Sequence, residues 1–481
     1  MKNIRFKFIG VLILVALILG SCKKWIDTGI NVNPDALVDV PMKTLLPGIQ
    51  ANMAYNTVGG NDITRVTSIW VQYFQGISRQ SQGSANYIWK DGDVDNQWNT
   101  NYSFTMMDLN QLTSKAKTAK NMMYLGIADV LMANALGITT DVWGDVPYSD
   151  AFKGVAELNP TFDSQQKIYA TILALLDEAI TSLSSATLPY AEGDQMYGSS
   201  GDAATQGALW LKAAHGMKAR YTLHLCKQDH ANFQNALDAL TGCLASNDDD
   251  LQFGFGTGPG NQNPLFQFMD QRGDVAMHQS FIDTLKARFD PRIPMFATKG
   301  ADTTNPYQGV GWDETSTENS SLPGVAVAAE DAPVQFLTYA ECMFIKAECE
   351  YVTGVDVSQV KADLVEGLTA SLKKWGVFSS VYITAYSAAI QNVSGAALYR
   401  EIMMQKYIAL YYQAESFADW RRTENLIGLQ ANPTTAALEN VIPRRFPYSL
   451  GEKSYNPSGA AVYPATLWDR VWWDVIAGGG K

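Results

Sequence analysis

Apolar residues recur at helical spacing in four stretches of the chain. Within 168–183 the pattern places five of them on one face of a helix with about 3.6 residues per turn: Ile168, Ile172, Leu175, Ala179 and Leu183. Similar stripes cover 210–225, 336–351 and 399–417. The pattern predicts amphipathic helices, each with one face packed against a core.

Two of these helices are followed closely by a second apolar-patterned stretch. The helix predicted over 203–228 precedes Phe233–Leu244, and the one over 338–353 precedes Val357–Leu372. Such pairs, with large residues set against alanines, are typical of tetratricopeptide-type hairpins, although the strict repeat of about 34 residues is absent. We therefore predict a mostly α fold, a scaffold of tetratricopeptide-like helical hairpins without a regular array.

Long segments between the helices are rich in glycine, proline, asparagine, aspartate, serine and aromatic residues. They show little helical periodicity and cover 79–97, 139–163, 187–202, 247–277, 300–335 and 422–481. Long segments of this kind inside a compact domain are usually binding surfaces or disordered, and the embedded aromatic residues favour ordered surfaces. We predict that they pack as a loop-rich lobe that forms the ligand face.

The N-terminus has the pattern of a secretory signal peptide. Three basic residues precede an uncharged apolar run, Phe8–Leu19, which is shorter than the roughly 20 residues that a membrane-spanning helix needs. Leu19–Cys22 (LGSC) resembles the bacterial lipobox, which implies cleavage after residue 21 and a lipid anchor on Cys22. A cleaved signal followed by an unmodified cysteine is the alternative. Residues 22–481 then form the mature domain.

Charge and cysteine content narrow the possible functions. The formal net charge is −12 and becomes more negative once the basic signal is removed, so nucleic-acid binding is not expected. Cys342 and Cys349 would lie about 10.5 Å apart on one helix, too far to bridge. Cys226 and Cys243 are able to pair, and buried free thiols are the alternative.

The motifs of common catalytic and metal sites are missing from the sequence. Gly254–Gly260 lacks the glycines and the following helix of a dinucleotide fingerprint. The aspartates at 91, 93 and 95 begin like a calcium loop, but Asn96 and Tyr102 stand where glycine and glutamate belong. The histidines form no zinc motif, and neither a phosphate-binding loop nor a serine nucleophile elbow is present. We predict no catalytic residue, no metal and no cofactor.

Several elements, in order, resemble those of the SusD/RagB family of nutrient-binding outer-membrane lipoproteins, most closely its second SusD-like subgroup. They are Asp141–Ala151 (DVWGDVPYSDA), Arg288–Arg292 (RFDPR), Tyr339–Glu341 with Lys346–Glu348, Gln405–Tyr407 with Asp419–Thr423, and Ile442–Tyr448 (IPRRFPY). The resemblance extends from Cys22 to about residue 465.

In two places the chain departs from the family pattern. The acidic export signal that usually follows the lipidated cysteine is here Lys23–Asp27 (KKWID), which leaves the membrane leaflet open, and His215 stands between Trp210 and Arg220 where the family usually has asparagine.

The resemblance implies a fold, a location and a partner. The fold would be four tetratricopeptide-like hairpins with the ligand face in the loops above them. The protein would sit on the cell outer membrane, facing the exterior, as a lid over a SusC-like TonB-dependent barrel to which it delivers an oligosaccharide or peptide. We expect the motif arginines, Arg421, Arg422, Arg444 and Arg445, to pair with buried carboxylates such as Asp419 and Glu415.

Candidate ligand contacts come from aromatic residues in polar loops. A sugar offers an apolar C–H face and a rim of hydroxyls, so a sugar site needs aromatic planes beside amide or charged side chains. Five residues meet this description: Trp89, Trp98, Asn101, Tyr307 and Trp312. The alternative is that these rings fill the core.

Two other classes of protein fit the same sequence. A surface glycoside hydrolase would need two carboxylates about 5 to 10 Å apart across a cleft. A structural or adhesive lipoprotein would bind no small ligand. We favour nutrient capture without catalysis.

Overall fold

The structure is a computed structural model that describes residues 40–476 apart from 61, 313, 315–317 and 435–440. The predicted signal peptide and Cys22 lie outside the described residues. Helices dominate the described part, which confirms the mostly α prediction. They are α1 (Met42–Asn52), α2 (Thr64–Trp70), α3 (Arg79–Ala85), α4 (Asp95–Asn99), α5 (Met107–Ala119), α6 (Met122–Trp143), α7 (Gln165–Leu183), α8 (Ala203–His224), α9 (Asn232–Ala239), α10 (Pro264–Gln271), α11 (Gln279–Ala287), α12 (Ile293–Phe296), α13 (Val325–Ala328), α14 (Tyr339–Thr353), α15 (Val357–Lys374), α16 (Ser380–Ile390), α17 (Gly395–Ala409), α18 (Glu415–Arg422) and α19 (Leu450–Tyr455).

The longer helices form one continuous stack. From α5 to α9 each helix packs against the next, α9 packs against α14, and α14 contacts both α15 and α17. Polar residues cap these helices by accepting a hydrogen bond from a backbone N–H of the first turn, among them Asn121, Ser164, Asp202, Thr338 and Asp356. The stack is the predicted scaffold of helical hairpins.

The centre of the stack is α6, which is apolar on nearly every side. It is long and apolar enough to cross a membrane. However, 89% of its most apolar 18-residue stretch is buried inside the protein, as in the core helix of a globular domain. Glycines let the neighbouring helices approach it. A Cβ at Gly126 would lie 2.5 Å from Leu183, and one at Gly137 would lie 2.3 Å from the ring of Tyr221.

Three short antiparallel sheets bring distant segments of the loop lobe together. They pair β1 (Phe74–Gly76) with β5 (Val275–Met277), β2 (Val146–Pro147) with β3 (Phe162–Asp163), and β4 (Leu251–Phe253) with β6 (Val334–Leu337). Several segments predicted as loops contain short helices, notably α3, α4 and α10. These helices are too short for a clear stripe of apolar residues to appear in the sequence.

The Asp141–Tyr148 and Ile442–Tyr448 elements bind each other. Trp143 donates from its indole Nε1 to the carbonyl of Pro447 at 2.8 Å, and Phe446 donates its backbone N–H to the carbonyl of Val142 at 2.7 Å. Arg445 donates to the carbonyl of Trp143. These two elements hold the C-terminal segment onto the end of α6, so their role is structural.

Two of the four motif arginines pair with buried carboxylates, as expected, and the other two do not. Arg422 donates to Glu348 and, at 2.6 Å, to Asp419, while Arg444 pairs with Asp474 at 2.6 Å. Arg421 and Arg445 instead donate to backbone carbonyls.

Cys226 and Cys243, for which the sequence left a disulfide and free thiols both open, do not pair with each other in this structure. The Cys226 thiol accepts a hydrogen bond from Nη1 of Arg422 at 3.8 Å, whereas Cys243 lies beside α14. Both are free thiols.

Candidate ligand-binding site

A polar cleft of about 460 Å³ opens in the loop lobe. Its volume lies within the range of small-molecule sites. Residues in and around α2, α3, α4 and α10, together with two from the segment after α1, line it: Tyr55, Asn56, Asp62, Arg65, Gln80, Trp89, Gly92, Asp93, Asn96, Gln97, Thr100, Pro264, Gln267, Phe268, Gln271 and Arg272. Aromatic rings and amide side chains therefore meet at one surface.

One wall of the cleft is α10. Asn263 starts this helix by accepting hydrogen bonds from the backbone N–H groups of Leu265 and Phe266, and Pro264 occupies the first turn. Gln267 and Gln271 are one helical turn apart and both reach the cleft. The amide of Gln267 is held in place, because its Oε1 accepts from the Tyr55 hydroxyl at 3.0 Å.

Arg65 joins the two sides of the cleft. Its guanidinium lies 4.6 Å from the centre of the Phe268 ring, a cation–π contact, and its Nη1 donates to the Ser81 hydroxyl at 2.5 Å. The side chain is almost fully buried, and within the described part of the chain its Nε has no hydrogen-bond partner. Burial lowers the pKa of Arg65, although the nearby carboxylate of Asp62 opposes this shift.

Trp89 is among the residues that line the cleft. It is 7% exposed, and its ring packs 6.0 Å from that of Phe446. Its indole Nε1 has no hydrogen-bond partner among the residues that the structure describes. An unpaired buried donor costs free energy, and a ligand acceptor that reached it would recover that cost.

The formal charges of the cleft cancel. Arg65 and Arg272 face Asp62 and Asp93, and Asp62 lies 3.6 Å from Nη2 of Arg65. Burial, opposed by Arg65 and assisted by Asp93, raises the pKa of Asp62. Such a balance favours a neutral, hydroxyl-rich ligand over an anion.

Two of the predicted ligand residues are in the core instead. Trp98 is 4% exposed and donates from its Nε1 to Glu452 at 3.2 Å, with its ring against Trp143. Asn101 is fully buried, donates to Thr139 at 3.0 Å and accepts from Gln97 at 2.8 Å. The polar sequence suggested a surface, but the π-helical segment Thr100–Met106 turns Asn101 inward into a buried hydrogen-bonded group.

The other two predicted residues, Tyr307 and Trp312, are half-buried. The Trp312 ring lies 4.4 Å from that of His278, and its carbonyl accepts from Gln75 Nε2 at 3.1 Å. Neither residue lines the cleft that contains Trp89. Their contact with a ligand stays a prediction.

The aspartates that begin like a calcium loop point to separate partners. Asp91 accepts from Lys453 Nζ at 2.8 Å, Asp93 accepts from the backbone N–H of Lys90 at 2.8 Å, and Asp95 accepts from the Ser449 hydroxyl at 2.6 Å. Within the described residues no group of three or more histidine, cysteine, aspartate or glutamate side chains is placed to hold a metal ion.

Several residues of the cleft could not be found from sequence patterns. Arg65 and Phe268 are about 200 residues apart, and their contact depends on the pairing of β1 with β5, which brings α2 and α10 together. Gln267 and Gln271 lie in a segment predicted to be a loop.

A second, more open depression of about 610 Å³ lies where α15 ends. Trp375 lines it, and so do Gln252 and the ion pair of Lys374 with Asp250, whose atoms are 2.6 Å apart. Trp375 Nε1, Asn247 Oδ1 and Gln335 Oε1, on residues that also line this depression, have no hydrogen-bond partner within the described part of the chain. This depression serves as a comparison for the cleft.

Fold and cleft together define a class of protein: an α-helical scaffold of tetratricopeptide-like hairpins that carries a polar, aromatic-edged cleft in a lobe of loops. A family model described as starch-binding, associating with the outer membrane, matches residues 34–449. The chain therefore belongs to the SusD-like family, in its second subgroup. No curated protein matches it.

Solved structures share the fold over nearly the whole chain. A SusD/RagB family protein from Bacteroides thetaiotaomicron is 25% identical with a TM-score of 0.77, covering 92% of this chain and 100% of its own. A chitin-binding protein superposes with a TM-score of 0.80 at 22% identity, over 91% and 100% of the two chains. A chitin-binding SusD homolog from Flavobacterium johnsoniae gives 0.77 at 20% identity, over 90% and 98%.

Proposed function

We propose that this chain is a surface lipoprotein that captures a neutral oligosaccharide in the cleft lined by Trp89 and passes it, without chemical change, to a TonB-dependent outer-membrane barrel. The observation that carries the proposal is the cleft itself. It brings Trp89, whose indole N–H is unpaired in the described part of the chain, and Phe268 together with amide side chains, and its formal charges balance.

The chemistry of the cleft matches that of a saccharide. Each hydroxyl of a sugar both donates and accepts, as do the amides of Asn96, Gln267 and Gln271. Aromatic stacking contributes about 0.5 to 1.5 kcal/mol per contact, so two or three contacts support capture in the micromolar to millimolar range. The family description names starch, and two structural neighbours are described as chitin-binding, which favours a glycan over a peptide.

The test is calorimetric titration of soluble protein starting at Lys23. The panel contains linear α-glucan and N-acetylglucosamine oligosaccharides and, as the competing ligand class, short peptides. We expect binding of one glycan series and no heat from the peptides. Binding of peptides alone would refute the glycan assignment.

A matched pair of variants tests the location. Trp89→Ala should weaken the binding of that glycan about tenfold or more, because the ring and its N–H are both lost. Trp375→Ala removes a similarly buried tryptophan, 9% exposed, from the second depression and should leave affinity unchanged. If Trp375→Ala weakens binding and Trp89→Ala does not, the glycan binds in the second depression, where α15 ends.

Hydrolysis is the second candidate, because Asp62 and Asp93 share the cleft and burial raises the pKa of Asp62. Chromatography of the glycan after overnight incubation separates the two functions. Intact glycan supports capture. Cleavage that is lost in Asp62→Asn would instead establish a glycosidase.

Anchor and partner need separate tests. Cys22→Ser should release the full-length protein from membranes and abolish labelling by a fatty-acid probe, and unaltered labelling would exclude this residue as the acylation site. Affinity purification of the tagged, lipidated protein from outer membranes should recover a TonB-dependent barrel. Its absence under mild detergent would refute the delivery step.

A further inference from the structure

Gln335 lies where three cavities of the protein meet. The residue belongs to β6 and is 8% exposed. The outermost cavity is the depression of about 610 Å³ at the end of α15. Behind it are a middle cavity of about 20 Å³ and an inner cavity of about 40 Å³. Gln335 lines all three, so this one side chain stands between the surface and the interior of the helical stack.

Neighbouring cavities in this series also share other residues. Pro333 and Trp375 line both the depression and the middle cavity. Val58 and Gln413 line both the middle and the inner cavity. The cavities therefore follow one another from the surface inward, and Gln335 borders each step.

The inner cavity is lined by charged residues of both signs. Arg220 and Arg421 line it together with Asp141 and Glu415, so its formal charges balance. Oε1 of Glu415 also lies 2.8 Å from Nε2 of the buried His224. Balanced charge favours a small neutral dipole over an ion. At about 10 to 15 Å³ for each molecule, the inner cavity has room for about two or three waters and the middle cavity for about one.

Several residues of these two cavities carry buried polar groups that are unpaired. Four such atoms have no hydrogen-bond partner within the described part of the chain: Asn134 Nδ2, Gln335 Oε1, Tyr412 Oη and Arg421 Nη2. Asn134 and Arg421 line the inner cavity, and Tyr412 lines the middle one. Buried polar groups nearly always bind protein or ordered water, and a buried water typically makes about three hydrogen bonds. Water beside these residues would satisfy donors and an acceptor together.

The side chain of Gln335 is held weakly. Its Nε2 donates to the carbonyl of Pro333 at 3.4 Å, which is longer than an ordinary hydrogen bond. Gln252, its neighbour across the sheet, is held more firmly, because its Oε1 accepts from the charged Nζ of Lys374 at 3.2 Å. Of the three cavities, Gln252 lines only the depression. The weakly held residue is thus the one that borders every cavity.

We propose that bound water occupies the middle and inner cavities, and that Gln335 is the gate through which this water exchanges with the depression. Rotation of the Gln335 side chain lets water pass inward as far as Glu415. The buried ionic groups around Glu415 then exchange protons with solvent through a local motion, without unfolding of the helical stack.

Hydrogen exchange at His224 tests the path. Its Nδ1 lies 2.8 Å from the hydroxyl of Tyr169 and 3.4 Å from Asp141, and its Nε2 contacts Glu415, so its ring protons are held inside the network. The chain has only four histidines, so nitrogen-labelled histidine gives few and separable ring N–H signals. The exchange of these protons with heavy water is followed by NMR in the soluble protein starting at Lys23.

A matched pair of variants identifies the gate. Gln335→Leu should slow exchange at His224 by about tenfold or more, because an apolar side chain cannot pass water along. Gln252→Leu alters the opposite residue of the sheet and should leave the rate unchanged. His278 is buried and lines none of the three cavities, so its rate should be the same in all three proteins. Thermal midpoints verify that each variant is folded. An unchanged His224 rate in Gln335→Leu, or equal slowing in Gln252→Leu, would overturn the gate.

A high-resolution crystal structure of the wild type tests the water itself and does not depend on any variant. We expect about two or three ordered waters in the inner cavity, bonded to Asn134 and Arg421, and about one beside Tyr412 and Gln335. Direct hydrogen bonds from these four side chains to other protein groups, with no ordered water between them, would overturn the proposal.

Discussion

Arg220 donates from Nε and Nη2 to the two carboxylate oxygens of Glu341, both at 2.6 Å, inside the helical stack. Both side chains are nearly inaccessible to solvent. The pair joins α8 to α14, and Arg220 also donates to the carbonyl of Phe336 at 2.7 Å. A charge this deeply buried depends on its partner.

Removal of one partner should therefore destabilise the fold strongly. Arg220→Met leaves the Glu341 carboxylate buried without its cation, and we expect the free energy of unfolding to fall by about 3 to 5 kcal/mol in urea titrations. The double variant Arg220→Met with Glu341→Met should recover a large part of that loss. Lys43→Ala, in an exposed pair with Glu192, is the control and should change stability by less than about 1 kcal/mol. A double variant no more stable than the single one would contradict this account.

Sequence patterns predicted the scaffold better than the site. The stripe from Ile168 to Leu183 identified α7, because one face of that helix is exposed. The equally important α6 has no polar face and therefore no stripe. Asn101 looked like a surface residue because its neighbours are polar, but it pairs inside the protein with Gln97, one turn away, and with Thr139 of α6. Trp89 could be found as an aromatic residue in a polar loop, whereas Arg65 and Phe268 meet only through tertiary pairing.

The second prediction concerns pH and His224. Its Nε2 lies 2.8 Å from Glu415 Oε1, and its Nδ1 lies 3.4 Å from Asp141 Oδ2. Burial opposes the charged ring, but the carboxylates of Glu415 and Asp141 outweigh it and raise the pKa of His224 to about 9. The folded protein therefore holds this proton more tightly than the unfolded chain, whose histidine pKa is about 6.5.

The stabilisation from charged His224 is complete below about pH 6.5 and is lost as the pH rises through about 9. We expect a loss on the order of 2 to 3 kcal/mol across this window, measured by urea unfolding at closely spaced pH values. His224→Gln should flatten the profile between pH 7 and 9.5. An unchanged slope in that variant would show that another group carries the dependence.

The third prediction concerns a buried acid, Asp129, whose titration also lowers stability as the pH rises. Asp129 on α6 is fully buried, and neither carboxylate oxygen has a hydrogen-bond partner in the described part of the chain. Burial, assisted by Glu178, raises the pKa of Asp129 to about 8. The folded state therefore favours the protonated acid, and stability should fall as the pH rises from about 4 to about 8.

Asp129→Asn removes this titration and keeps the shape of the side chain. We expect the variant to match the wild type near pH 4 and to exceed it at pH 8, by roughly 1 to 3 kcal/mol. Asp177→Asn, at an exposed carboxylate of α7, provides the control and should show no such divergence. If the profiles of Asp129→Asn and the wild type stay parallel, the pKa of Asp129 is the same in the folded and unfolded protein, which would contradict this account.

The last prediction separates the two ways in which Trp89 can hold a saccharide. Trp89→Phe keeps an aromatic face but removes the indole N–H, and Trp89→Ala removes both. If a ligand oxygen accepts from Nε1, the phenylalanine variant should bind about 2- to 10-fold more weakly, since a hydrogen bond contributes about 0.5 to 1.5 kcal/mol. If a sugar face also stacks on the ring, Trp89→Ala should bind the glycan more weakly than Trp89→Phe by a similar factor.

Calorimetry with the same glycan measures the affinity of all three proteins. Thermal midpoints verify that each is folded, because the Trp89 ring also packs on Phe446. Wild-type affinity in Trp89→Phe would show that the ligand does not accept a hydrogen bond from the indole N–H. Equal affinities of Trp89→Phe and Trp89→Ala for the glycan would show that the sugar does not stack on the ring.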